Sequence, residues 1–245
     1  MFEAETWAIV YSAPEAGSPE AQRREGQAGR DLRARHVGGA LSVARTLVDP
    51  SRIVVVVLEQ ERPWWQARLL DLPPENVVEQ PFDRGSATGI LLAAARVRAR
   101  APGARVLVFF SDVIDASMMG ALRDGVEHAA ADPRVQLLSG SHDARRGGPA
   151  APAVALATAS GLLQLFEETQ PELVRELLGE GVGPRALDEI YPFLGAVDFR
   201  REVLAAAPHR VLARAVDEGP FLWREPYEGA LTAADPFRPR ALAAG

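Results

Sequence analysis

The chain has 245 residues with 27 basic and 33 acidic side chains, for a formal net charge of −6, a length that suits one large domain or two small ones and a balance that argues against a nucleic-acid partner, whose phosphates need a basic face. Apolar residues make up 47% and charged residues 24%, proportions that allow a packed core and argue against general disorder. There is no Cys, and all 27 basic residues are Arg; disulfides, thiol nucleophiles, thiolate metal sites, a Walker A phosphate loop and Schiff-base chemistry are thereby excluded.

No uninterrupted apolar run is longer than that from Ile53 to Leu58, only a strand's length, so no segment is expected to span a bilayer. The first residues, Met1-Phe2-Glu3-Ala4-Glu5, are acidic where a signal peptide would be basic, which makes the cytoplasm the expected compartment.

In chain order, Thr6 to Ser12, Arg52 to Leu58, Asn76 to Gln80, Arg105 to Phe110 and Arg134 to Leu138 read as strands. Runs such as V-V-V-V suit strands covered on both faces, as in a parallel sheet with helices on each side. Between them, Asp31 to Val48, Pro63 to Leu70, Gly85 to Arg100 and Ser117 to Ala131 carry helical patterns. This β-α alternation predicts a Rossmann-like, doubly wound α/β fold with a mostly parallel sheet and helices on both faces. A breaker-rich connection runs from Ser139 to Pro152. Beyond it a strand at Ala153 to Ala157, one long helix from Ser160 to Leu178, short helices near Arg185 to Phe193 and Asp198 to Ala206, and a strand at Arg210 to Val216 extend the sheet. The expected organisation is a single domain over 1–245. It comprises a nucleotide-binding-type half (1–139), a connecting loop (140–152) and a C-terminal α/β part (153–245).

Ligands of open parallel sheets sit beyond the carboxyl ends of the strands, with phosphates on a Gly-rich loop that feeds a helix. The loop after the first strand, Tyr11-Ser-Ala-Pro-Glu-Ala-Gly-Ser-Pro-Glu20, has one Gly and two Pro. It makes a poor phosphate cradle, because each Pro removes an N–H and only Gly permits a close backbone approach. A second loop, Gln80-Pro-Phe-Asp-Arg-Gly-Ser-Ala-Thr-Gly-Ile90, gathers Gly85, Ser86 and Thr88 at a helix N-terminus. There free N–H groups meet an anion or a base edge, or Asp83 or Ser86 simply caps the helix. A third, Ser111-Asp112 with Asp115, places a carboxylate at a strand end, where it either holds Mg²⁺ with substrate phosphates or caps a helix.

Taken together, T-W-A-I-V, then V-V-E-Q-P-F-D-R-G-S-A-T-G-I-L-L, then V-L-V-F-F-S-D resemble the sugar-1-phosphate nucleotidyltransferases, mannose-1-phosphate guanylyltransferases in particular. In those enzymes L-A-G-G-x-G-T-R-L, Q-P-x-N-R-G-T-A-x-G-I-L and P-S-D-H stand in the same order. L-D-E-I-Y-P-F-L-G-A-V-D-F-R-R-E-V-L resembles their C-terminal part. The resemblance spans much of residues 6 to 131 and about 184 to 230. It implies a nucleotide site at Asp83, Arg84, Gly85, Ser86, Ala87 and Gly89 for GTP or GDP-mannose, and Asp112 as a ligand of Mg²⁺ in any active form.

The sequence also departs from that pattern. Ala13, Pro14, Ala16 and Ser18 replace the Gly-rich phosphate loop, and a chain without Lys lacks both of the family's functional lysines, for which Arg is a poor substitute at a crowded site. P-S-D-H is F-S-D-V here, and Leu222 stands where the second metal carboxylate is expected. The region between the halves is shortened to Ser139–Pro152. Transfer between polyanions depends on charge stabilisation by metal and cations. The expectation is therefore a degenerate, catalytically inactive relative that acts by binding, as a regulatory or scaffold protein with a protein partner or a second copy. The alternatives are a nucleotide or sugar-nucleotide binder without turnover, and an active transferase with a rebuilt site in which Arg84 and Asp112 do the charge work.

Four smaller groupings complete the reading. Asp124, His128 and Asp132, spaced i, i+4, i+8 on one expected helix, read as a solvated acidic face before a metal site. His142-Asp143 beside Ser139 and Ser141 lacks the G-x-S-x-G turn of a hydrolase. Trp64-Trp65 reads as core packing before an exposed partner patch. Glu167, Glu168 and Glu172 form the polar face of the long helix.

Overall fold

The computed structural model describes residues 6–11, 38–110, 116–128, 132–139, 152–179 and 184–215. Seven strands form one sheet: β1 (Thr6–Tyr11), β2 (Ile53–Leu58), β3 (Val77–Gln80), β4 (Arg105–Phe109), β5 (Val135–Ser139), β6 (Pro152–Thr158) and β7 (Val211–Ala215), in the order β3-β2-β1-β4-β6-β5-β7. All the pairings are parallel except those of β6, which runs antiparallel to both β4 and β5. The mostly parallel α/β architecture is therefore the one expected. Strands from both expected parts of the chain share this sheet, joined where Phe109 of β4 faces Val154 of β6.

The helices are α1 (38–47), α2 (Arg62–Trp65), α3 (Gly85–Arg100), α4 (Ala116–His128), α5 (Ala159–Thr169), α6 (Pro171–Leu178) and α7 (Pro184–Ile190). Successive strand residues point to opposite faces, and each strand accordingly feeds two cores. Trp7, Ile9, Val54, Val56, Val106 and Val108 pack with α3, α5, α6 and the segment 191–207. Ala8, Val10, Val55, Val57, Leu107 and Phe109 pack with α1, Trp65 and α4. Both faces are covered, which is why the strands read as continuous apolar runs.

Two expected elements are corrected. The helix from Ser160 to Leu178 is two helices, because Pro171 lacks an N–H and bars its predecessor from the helical region, leaving Gln170 at φ −136° and ψ 54°. The stretch from Asp198 is a π-helical turn over Phe199–Leu204, closed by Ala205 N–H donating to the Arg200 carbonyl.

Trp65 is buried and its indole N–H donates to the Leu58 carbonyl at 3.0 Å, the core role expected of it. Glu167, Glu168 and Glu172 are exposed, as expected of a polar face. Among the described residues no helix is long and apolar enough to cross a membrane.

Candidate functional site

The chain runs outward from β1 to β2 and β3, then crosses back to β4 on the other side of β1. The order therefore reverses between β1 and β4, where open α/β sheets place their ligands. The loops that leave these two strands, with Ala13, Pro14, Ala16, Ser18, Ser111, Asp112 and Asp115, lie outside the described residues, as do His142, Asp143 and Leu222. The described parts of this edge include the β3–α3 loop and the segment 191–200 packed against it.

Gly85 opens α3 with φ +80°, the only positive φ among the described residues. Its backbone lies flat on Val197: a Cβ there would stand 2.7 Å from the Val197 carbonyl carbon and 2.8 Å from its nitrogen. Two backbone hydrogen bonds frame this approach, Val197 N–H to the Arg84 carbonyl at 3.1 Å and Ala87 N–H to the Val197 carbonyl at 3.0 Å. Only glycine allows both the left-handed conformation and the contact.

The neighbouring groups are committed in the same direction. The Ser86 hydroxyl accepts the Phe199 N–H at 2.9 Å, and Asp83 Oδ1 accepts the Gly85 N–H at 3.0 Å. Arg84 donates through Nε to the Tyr191 carbonyl at 2.9 Å and through Nη2 to the Pro192 carbonyl at 2.7 Å. Thr88 returns its hydroxyl to the Arg84 carbonyl at 3.0 Å. Asp83 is exposed, Arg84 half-buried, and Gly85 to Gly89 are buried. In this arrangement the Ala87 amide, the Ser86 hydroxyl and the Arg84 guanidinium bind the C-terminal part of the same chain, and the Gly85 amide binds Asp83 within the loop.

One residue that the sequence reading did not single out joins this cluster. Gln80, buried at the end of β3, donates through Nε2 to the Tyr191 hydroxyl at 2.9 Å, while its Oε1 has no hydrogen-bond partner. A Cβ on Gly89 would stand 2.6 Å from Val56 Cγ1, 3.0 Å from Tyr11 Cε2 and 3.1 Å from Gln80 Oε1. Gly89 therefore lets α3 close on the strand ends. The signal was available in Gln80-Pro81 at the strand's end, but a buried Gln is indistinguishable from an exposed one in sequence.

Burial pushes the Tyr191 hydroxyl pKa up to about 12, against the Gln80 hydrogen bond and the nearby Arg96 charge, both of which lower it. Burial likewise raises the Asp198 carboxyl, although N–H groups of Arg201 and Arg200 and the guanidinium charges of both residues oppose it. Asp198 Oδ1 accepts the Arg201 N–H at 3.0 Å, Glu202 returns a carboxylate oxygen to the Asp198 N–H at 2.9 Å, and Oδ2 has no partner. Arg200 lies 5.1 Å above the Phe110 ring, and Phe110 stacks at 5.8 Å on Phe199. The π-helical turn is thus tied to the end of β4.

The i, i+4, i+8 grouping is not a helical face. Asp132 lies outside any helix and pairs with Arg134 at 2.8 Å, while Asp124, on α4, is exposed. No three His, Cys, Asp or Glu residues gather to hold a metal ion among the described residues.

No family model and no curated protein matches the sequence. Solved structures do match. A mannose-1-phosphate geranyltransferase from Thermus thermophilus superposes with a TM-score of 0.61 at 18% identity, over 90% of this chain and 76% of that one. A mannose-6-phosphate isomerase from Helicobacter pylori superposes at 0.56 and 8% identity, over 87% and 98% respectively. The protein shares with these two structures an α/β fold, built here on a seven-stranded, mostly parallel mixed sheet. At these identities the likeness is one of fold.

Proposed function

We propose that this chain is a catalytically inactive, nucleotidyltransferase-like protein of the mannose-1-phosphate guanylyltransferase kind, which acts by binding. One observation carries the reading: the β3–α3 loop, the segment that most resembles the family, spends its ligand-type groups within the chain. The Gly85 and Ala87 amides, the Ser86 hydroxyl and both donating arms of Arg84 hold Asp83, Val197, Phe199, Tyr191 and Pro192. A transferase must present such donors to developing negative charge, and donors already satisfied are exchanged only at a cost. The absence of Lys from the sequence supports the same reading.

A second reading, a nucleotide or sugar-nucleotide binder without turnover, is favoured by Gln80. Its buried, unmatched Oε1 at the carboxyl end of β3 suits a donor such as an amino group of a base, and this reading takes Asp83, Arg84, Gly85, Ser86, Ala87 and Gly89 as the rest of the nucleotide site.

The test is calorimetric titration of the full chain with GTP and with GDP-mannose, with and without Mg²⁺, beside an assay for pyrophosphate release from GTP and mannose 1-phosphate. Mg²⁺ enters as a variable because the resemblance makes Asp112 its ligand. The expected result is no pyrophosphate. Binding without release selects the second reading, and release in proportion to enzyme overturns both.

A further inference from the structure

Four large apolar side chains are exposed among the described residues: Leu70, Phe82, Leu178 and Phe193. The two phenylalanines belong to one junction. Arg84 stands 5.8 Å from the centre of the Phe82 ring and donates at 2.7 Å to the carbonyl of Pro192, the neighbour of Phe193. Phe193 is 88% exposed and Phe82 49%, although the turn that carries Phe193 is firmly anchored. Tyr191 and Leu194, on either side, are in the core, and the Leu194 N–H closes the turn on the Tyr191 carbonyl. Such a turn leaves Phe193 no way inward. An aromatic ring held outward on an ordered turn has little conformational entropy left to lose on contact, which favours it as a binding anchor.

Among the described side chains, the margin of this patch is acidic. Asp83 lies beside Phe82, and Asp188 and Glu189 lie at the end of α7, which leads directly into the Phe193 turn; all three are exposed. The one guanidinium shown between the rings, that of Arg84, is turned onto two backbone carbonyls. Pro192, Gly195 and Ala196 complete the exposed surface.

We propose that the Phe82–Phe193 face docks a partner protein through a segment that carries an apolar side chain flanked by Arg or Lys. Charge complementarity selects this occupant. A second copy would oppose the same acidic margin to itself, and a polyphosphate would face the same carboxylates, whereas a basic segment gains both steering and register from them. The inference rests on the reading of the chain as a binding protein and gives that reading a surface and a partner chemistry.

The test is selection from a random displayed-peptide library on the full chain, followed by titration of the selected peptides. Three proteins are compared: the unaltered chain, Phe193→Ala, and the double variant Asp188→Asn with Glu189→Gln. The altered side chains are exposed, and circular dichroism checks that the variants fold. Enriched peptides are expected to carry Phe, Leu or Trp beside Arg or Lys. Their Kd should rise about tenfold or more in Phe193→Ala, on the scale of an interface anchor. In the double variant it should rise by about threefold, with a weaker dependence on salt. The proposal is overturned if no peptide discriminates between the unaltered chain and Phe193→Ala, or if the selected peptides are acidic. It is also overturned if sedimentation shows a dimer that Phe193→Ala dissociates, since the occupant is then a second copy. Pyrophosphate release, measured separately, bears on the non-catalytic reading and not on this surface.

Discussion

Gly85 and Val197, 112 residues apart in the chain, lie backbone against backbone: Arg84 and Ala87, on either side of Gly85, exchange hydrogen bonds with Val197, and no room remains for a Cβ on Gly85. This contact fastens the β3–α3 loop to the C-terminal part of the chain at the carboxyl edge of the sheet.

Replacement of Gly85 by Ala adds a side chain at φ +80° and drives it into the Val197 backbone, which cannot yield as a flexible side chain would. Left-handed strain and overpacking together are expected to cost about 3 kcal/mol, or roughly 6–12 °C in Tm for a chain of this length. Thermal unfolding followed by circular dichroism measures it. An unchanged Tm would mean that the two segments are not held together this way.

The Tyr191 hydroxyl is buried and accepts from Gln80. Tyr191→Phe leaves the Gln80 Nε2 donor unmatched in the core and is expected to destabilise by about 1–3 kcal/mol at neutral pH. The pH dependence follows from the raised pKa. The neutral hydroxyl is favoured in the folded state, so its contribution is complete below about 10, the unfolded value, and is lost as pH rises through the folded value of about 12. Urea unfolding from pH 8 to pH 12 should show this loss in the unaltered chain and a shallower one in Tyr191→Phe. Parallel curves would place the hydroxyl in solvent.

At Asp198 the same linkage acts on an acid. Burial raises its folded pKa above the usual value of 3.8, so its stabilising contribution is present below the unfolded pKa and is lost as pH rises through the folded one. Asp198→Asn keeps an oxygen for the Arg201 N–H and removes the buried charge whose Oδ2 has no partner. The variant is expected to match or exceed the unaltered chain in stability at pH 7, and its advantage should shrink as the pH falls toward 3.8. Urea midpoints at pH 7, 5 and 4 test this. A large loss at pH 7 that does not depend on pH would show that the ionised carboxylate is required.

Much of the architecture was legible in the sequence because it follows from local rules. Ile53–Leu58 reads as a strand covered on both sides, and it is one. The helix from Gly85 to Arg100 was placed at both ends, with Arg98 and Arg100 in its last turn, where they complement the helix dipole. The break at Gln170-Pro171 was equally visible as a local signal, since Pro cannot continue a helix, and the single helix expected from Ser160 to Leu178 ran through it. Beyond α4, the i+8 spacing of Asp132 was misleading, since spacing has meaning only while the helix lasts.

The candidate site divides along the same line. The sequence by itself determined that Asp83 to Gly89 would leave a strand and open a helix, and that no Lys or Cys could serve anywhere in the chain. Only the tertiary structure decided what those groups face. Val197, Tyr191, Pro192 and Phe199 meet them across more than 100 residues of sequence. No local pattern encodes which carbonyl an arginine or a helix N-terminus will find. That choice is made when the two halves pack, because each buried N–H must take the nearest acceptor the packing provides. The antiparallel β6, set between β4 and β5, was settled in the same way: an apolar run specifies that a strand is buried, while its direction is fixed by where the preceding connection delivers it to the sheet.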